Sequence, residues 1–182
     1  MESENMQEIA MTILDIVQNS IRAGAHLIHI WIVNSQKENK IHIEVRDDGC
    51  GMNHDTLQKV IDPFYTTRTT RSIGLGIPMF KESVEMTGGY FFIDSKENKG
   101  TTIIGEYVKN HIDTPPMGDL VETVVSLLQY DEHIDYCFRY QEDDREFVLD
   151  TQEIKELLED VPINQPEIIL WLKDYIKEGM WK

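Results

Sequence analysis

Between residues 41 and 52 an alternating run, Ile41, Ile43 and Val45, leads straight into Arg-Asp-Asp-Gly-Cys-Gly-Met. Alternation of period two predicts a strand with one buried face, and the glycines that follow allow the backbone a tight turn or a close approach that a side chain would block. The chain must therefore build a sheet. Upstream, residues 3 to 23 carry Ile9, Ile13, Leu14, Ile16, Val17 and Ile21 at helical spacing, with Gly24 as the stop. A second apolar run at residues 25 to 34 is separated from the first strand by the polar turn NSQKENK, so a helix followed by a hairpin is expected.

Downstream the sequence predicts a short helix over 54 to 61 with Asn53 as its N-cap, then an aperiodic Thr/Arg-rich loop, DPFYTTRTTRS, of a composition suited to a mobile functional segment. A helix over 74 to 86 is stopped by Gly88 and Gly89, and strands at 90 to 94 and 101 to 107 flank the turn SKENKG. The pattern breaks near residues 111 to 118 around Pro115 and Pro116, which divides the chain into a unit over 1–110 and an extension over 111–182. The extension reads as helix, hairpin, helix, helix, with Asp150 and Glu153 spaced as a capping box. Its apolar stripes, including Leu120, Val124, Leu128, Ile169 and Leu172, suit packing against its own hairpin or, alternatively, a groove for a partner.

Composition removes several classes of function. The formal charge of 17 − 33 = −16 repels phosphate backbones and anionic lipid surfaces, so neither nucleic acid nor a membrane is an expected partner. No run approaches the roughly 20 apolar residues of a membrane span, and the start lacks the basic-then-apolar order of a signal peptide, so a cytoplasmic location is expected. Cys50 and Cys137 lack metal or disulfide spacing, and His26 and His29 lack the further ligands a zinc site needs.

Three motifs carry chemistry. Asp15 and Asn19 lie four apart on the first helix and share a face, where a carboxylate and an amide can hold a hydrated magnesium ion; a solvated helix face would look the same. Asp48-Gly49-Cys50-Gly51-Met52 follows a strand, where a carboxylate can accept from an exocyclic amine and glycines admit a flat ring; a plain Asp-Gly turn is the alternative. Ser72-Ile73-Gly74-Leu75-Gly76-Ile77 opens a helix whose free amides and dipole suit an anion, the expected one being a triphosphate.

In this order, and with Gly100-Thr101 on a later strand, the motifs resemble the four boxes of the GHKL superfamily of ATPases (gyrase, heat-shock chaperone, histidine kinase, MutL) over about residues 5 to 108. DIVQNSIRAGAHLIHI is similar to the MutL-type segment, and DPFYTTRTTRSIGLGIPMFKESVEMTGG to a sensor histidine kinase catalytic domain. The resemblance implies an α+β fold, the Bergerat two-layer α/β sandwich, here with a small α+β C-terminal extension. It implies ATP and magnesium as ligands, with Asn19 as the metal ligand and Asp48 as partner of the adenine amine. Gly49, Gly51 and Met52 lie beside the ring, Thr101 shares an ordered water with adenine and the aspartate, and Gly74, Leu75, Gly76 and Ile77 lie at the phosphates. Phe64 opens the lid, Thr67 lies within it, and Arg22 and Arg68 are phosphate contacts, Arg68 alternatively being a solvated loop base.

One departure bears on mechanism. Hydrolytic relatives and anti-sigma serine kinases place a Glu where this chain has Asp15, as general base; the shorter Asp retains the acidity with less reach. The implied function is slow ATP hydrolysis or phosphate transfer to a partner protein, as in an anti-sigma-like or split kinase, with a non-catalytic ATP-gated binding module as the alternative. The chain is not expected to be a complete sensor kinase, the partner being a phosphate acceptor or regulated target, and a homodimer is compatible with either function.

Overall fold

The structure, a computed structural model, describes residues 7–62 and 75–181. Helix α1 (Ile9–Arg22) buries Ile9, Ala10, Ile13, Ile16 and Val17 along one stripe and stops at Gly24, which takes a positive φ of 72°. Its N-cap, Glu8, makes no side-chain cap; instead the amides of Ile9 and Ala10 donate to the carbonyls of Pro116 and Met117 at 3.0 and 2.9 Å. Two of the orphan donors of the helix start are thus satisfied by a segment about a hundred residues downstream.

A hairpin follows, β1 (Leu27–Ser35) and β2 (Lys40–Asp47), then α2 (His54–Ile61), whose N-cap Asn53 accepts from the Thr56 amide at 2.9 Å. Helix α3 (Gly76–Met86) leads into β3 (Tyr90–Lys96) and β4 (Gly100–Val108). Beyond the Pro115-Pro116 segment come α4 (Leu120–Tyr130), β5 (Asp135–Glu142), β6 (Arg145–Asp150), α5 (Thr151–Leu158) and α6 (Pro166–Trp181). The starts of α4 and α5 are capped by Asp119 and Asp150, each accepting at 2.9 Å, from Glu122 and Gln152.

Among the described residues there is one sheet of six strands, ordered β3-β4-β2-β1-β5-β6, together with six helices, a mixed α+β architecture. All pairs are antiparallel except β1 with β5, which run parallel from Leu27 opposite Asp135 to Asn34 opposite Glu142. Inward-facing Ile28, Ile30 and Ile32 of β1, Ile41, Ile43 and Val45 of β2, and Ile103 and Tyr107 of β4 are buried beneath the helices. Alternation along each strand thus separates a helix-covered face from an open one. On the open face Trp31 packs edge-on to His42 at 5.4 Å and beneath the Arg139 guanidinium at 5.0 Å.

The sheet runs through the division at residue 110. The hairpin of the extension continues the sheet from β1; α5 packs against β5 and α6 against β6, and α4 packs against both α1 and α6. The buried residues of both parts form a single core. The physical reason is that β1 would otherwise leave a central row of N–H and C=O groups unpaired.

Candidate functional site

Strand β2 carries its inward parity to its last residue. Ile41, Ile43, Val45 and Asp47 all face the helices, and Asp47 is only 8% exposed at the end of an otherwise apolar row. A buried carboxylate requires donors. Ser20, on α1 directly above, donates its hydroxyl to Asp47 Oδ2 at 2.6 Å, and the Gly49 amide donates to Oδ1 at 2.9 Å.

Asp48 points the other way. Its Oδ1 accepts from the amides of His26 at 2.7 Å and Leu27 at 2.9 Å, fastening the end of β2 to the start of β1. Partial burial pushes the Asp48 carboxyl up, yet the amides of Leu27, His26 and Asp48 itself, with the nearby His26 ring, outweigh it and hold the carboxyl below its ordinary value. Asp48, expected at the adenine amine, thus ties down backbone here, and Asp47 faces the space beneath α1.

The following loop is strapped on both sides. The Cys50 amide donates to the Ala23 carbonyl at 2.8 Å, the Asn98 amide to the Cys50 carbonyl at 2.7 Å, and the Met52 amide to Ser95 Oγ at 2.9 Å. Such close passage demands glycine. At Gly51, with φ of 61°, a Cβ would lie 2.0 Å from the Lys96 carbonyl oxygen, and at Gly100, with φ of 87°, 1.8 Å from that of Asp47.

Thr101 is the register partner of Asp47 on β4, and Ser95 on β3 is the register partner of Thr101. The Ser95 and Thr101 hydroxyls lie 2.8 Å apart. A polar row, Ser95, Thr101 and Asp47, thus crosses three strands on the helix-covered face.

Between this row and α1 lies a cavity of about 680 Å³. Its polar wall includes Asn19, Ser20, Arg22, Asp47 and Thr101, and its apolar wall includes Ile16, Met52, Ile77 and Ile103, with Cys50 and Gly51 at the loop. Arg22 Nη1 donates to Asn19 Oδ1 at 3.2 Å. Asp15, one turn before Asn19, is not among the lining residues; its Oδ2 accepts from Gln7 Nε2 at 2.8 Å. Gly76 opens α3 beside it, where an added Cβ would stand 3.2 Å from that of Asp15.

The fold thus brings Asn19, Arg22, Gly51, Met52, Ile77 and Thr101 to one cavity. Gly49 instead packs against Ala23, and Leu75 is exposed at the start of α3. Phe64, Thr67, Arg68 and Gly74 lie outside the described residues. Three polar residues at this place were not expected: Asp47, Ser20 and Ser95. For Asp47 a signal did exist, since the alternation of Ile41, Ile43 and Val45 extends to position 47 and not 48. Among the described residues no cluster of three or more His, Cys, Asp or Glu side chains is placed to hold a metal, and no helix is long and apolar enough to cross a membrane.

Residues 5–111 match the family described as histidine kinase-, DNA gyrase B-, and HSP90-like ATPase. Sensor histidine kinase WalK of Bacillus subtilis is 34% identical over 107 residues, 54% of this chain but 17% of that protein. Sensor kinase CckA of Brucella abortus is 42% identical over 60 residues, 32% of this chain and 6% of its own. The chain thus spans less than a fifth of the length of these relatives.

Among solved structures, the Aquifex aeolicus MutL ATPase domain complexed with ADP is similar at a TM-score of 0.49 and 14% identity, covering 82% of this chain and 68% of that one. The nucleotide-free catalytic domain of histidine kinase ThkA is similar at a TM-score of 0.41 and 28% identity, covering 54% of this chain and 64% of its own. With more than half of its length matched by the family model, the chain belongs to the histidine kinase-, DNA gyrase B- and HSP90-like ATPases, the GHKL superfamily.

Proposed function

We propose that this protein binds ATP with magnesium in the cavity beneath α1, and that it hydrolyses the nucleotide slowly or passes its terminal phosphate to a partner protein. The observation that carries the proposal is Asp47, a nearly buried carboxylate that lines the cavity opposite an apolar wall of Ile16, Met52, Ile77 and Ile103. Such a group suits one exocyclic amine on a flat base, with Met52, Ile77 and Ile103 as apolar neighbours. The cavity, about 680 Å³, falls in the range of roughly 300–1,000 Å³ common to small-molecule sites.

In this proposal Asp47 accepts from the adenine amine, and Thr101, its register partner, holds a bridging water. Arg22 and the amides at the start of α3 receive phosphate oxygens. Asn19 is the magnesium ligand; a single protein oxygen suffices, because magnesium usually keeps several waters and takes the rest of its shell from phosphates. When bound, the ion neutralises charge developing on the phosphates. Asp15 is the candidate general base. ATP as the ligand is consistent with a cytoplasmic location.

A second function, an ATP-gated binding module without turnover, is favoured by one observation: the Asp15 carboxylate is engaged by Gln7 and stands outside the cavity wall. Calorimetric titration with Mg·ATP tests the shared part of both. Wild type is expected to bind, and Asp47→Asn to bind at least about tenfold more weakly, the scale of one hydrogen bond to a charged group. Equal binding by the two proteins would overturn the assignment, and phosphate release at saturating ATP separates turnover from gating.

A further inference from the structure

Ser20 has its hydroxyl committed in an unusual direction. A serine inside a helix commonly turns its hydroxyl back to a carbonyl of the preceding turn. Here, at 4% exposure, Ser20 Oγ donates across to Asp47 Oδ2 at 2.6 Å, linking α1 to the end of β2. The other oxygen, Oδ1, accepts from the Gly49 amide at 2.9 Å. Each carboxylate oxygen can accept two hydrogen bonds, so one donor on each leaves acceptor capacity while fixing the plane of the group. The Gly49 contact alone leaves the carboxylate free to pivot about that oxygen.

We infer that Ser20 is a positioning residue for base selectivity, holding Asp47 in the one orientation in which it accepts from an exocyclic amine on a bound purine. The inference rests on the proposed nucleotide site. It goes further in assigning the discrimination to a hydroxyl on the opposite wall of the cavity. Ser20 itself lines that cavity, but its proton is spent on the carboxylate. A base that carries a donor gains from the arrangement, and one without the amine gains nothing from it. Loss of the hydroxyl therefore affects only ligands that bear the amine.

The test compares ATP with purine riboside triphosphate, which lacks the amine, in calorimetric titrations of wild type, Ser20→Ala and Ser20→Thr, each with magnesium. Wild type is expected to favour ATP by at least about tenfold. Ser20→Ala should weaken ATP binding about tenfold, the effect of one charge-assisted hydrogen bond, and leave the amine-free analogue within about twofold. Ser20→Thr, which keeps the hydroxyl, should recover most of the difference. In an Asp47→Asn background the Ser20→Ala effect should disappear, an outcome that general loosening of α1 would not produce. Equal weakening of both ligands, or unchanged ATP binding by Ser20→Ala, would overturn the role of Ser20 while leaving the nucleotide site intact. A wild-type protein that binds neither triphosphate would overturn the site and this inference together.

Discussion

Asp47 and Asp48 are neighbours in the chain and occupy opposite faces of the end of β2, Asp47 beneath α1 with Ser20 on its oxygen and Asp48 outside with two amides on one of its own. Two aspartates of equal formal charge thus do different work. Asp47 is available to a ligand in the cavity, and Asp48 joins the ends of two strands.

Substitution separates them. Both donors to Asp48 meet the same oxygen, so Asp48→Asn keeps an acceptor in place, whereas Asp48→Ala leaves the His26 and Leu27 amides to solvent. Asp48→Ala is expected to cost about 1 kcal/mol, discounted for the exposure of the group, and Asp48→Asn less than half of that. Neither should change the preference for ATP over purine riboside triphosphate. Thermal denaturation and calorimetry check the two parts, and an Asp48→Asn protein without base preference would return the ligand contact to Asp48.

Acid stability follows from the same residue. Its folded carboxyl lies below the ordinary value of 3.8, so it releases its proton more readily when folded. Its contribution is fully present above that value and is lost as the pH falls through the lower folded value. Asp135 has the same sign: burial pushes it up, but Lys155, Gln152 and Thr151 outweigh this and hold it low. Melting temperature should therefore fall below about pH 4. The fall should be shallower for Asp48→Asn, and an identical pH profile would contradict the assignment.

The glycines differ in what they tolerate. Gly51→Ala sets a Cβ against the Lys96 carbonyl at positive φ, while Gly76→Ala meets only the Asp15 side chain at 3.2 Å. Gly51→Ala is expected to lose about 2–4 kcal/mol or to fail to fold, and Gly76→Ala to stay within about 1 kcal/mol of wild type. Denaturant titration ranks them; equal losses would mean that the loop relaxes around the added carbon.

Catalysis by Asp15 has a direct test. Asp15→Asn should bind ATP about normally and lose phosphate transfer or release by on the order of a hundredfold. Single-turnover rates at saturating ATP give the answer: an unchanged rate would sink the catalytic role of Asp15, whereas no turnover by the wild type would leave the ATP-gated module as the function.

The family match ends at residue 111, yet a chain cut after residue 112 should not fold cooperatively. The cut removes β5 from the exposed edge of β1, the Pro116 and Met117 carbonyls from the start of α1, and α4 from its flank. Loss of a sharp thermal transition is expected; a cooperative melt close to that of the full chain would make the extension dispensable.

Local patterns by themselves determined the elements. The stripe of Ile9, Ile13, Ile16 and Val17 ending at Gly24 specified α1, alternation specified β1 and β2, and Asn53 marked the start of α2, because each signal lies within a few residues of the structure it directs. Asn19, Gly51 and Thr101, which the fold brings to one cavity, could be picked out for a similar reason, being carried on short motifs of fixed spacing. Even the burial of Asp47, with Asp48 on the opposite face, was latent in the parity of β2.

Only the tertiary structure decided the rest. The parallel pairing of Leu27 with Asp135 joins strands about a hundred residues apart and leaves no local trace, since an alternating run looks the same whether its neighbour is in its own hairpin or another. That pairing makes the extension part of the sheet. Likewise, nothing near Ser20 or Ser95 in the chain reveals that one meets Asp47 from a helix and the other meets Thr101 from the edge strand. Their roles exist only where separate elements pack, because a hydroxyl gains a partner from whatever the fold sets within about 3 Å of it.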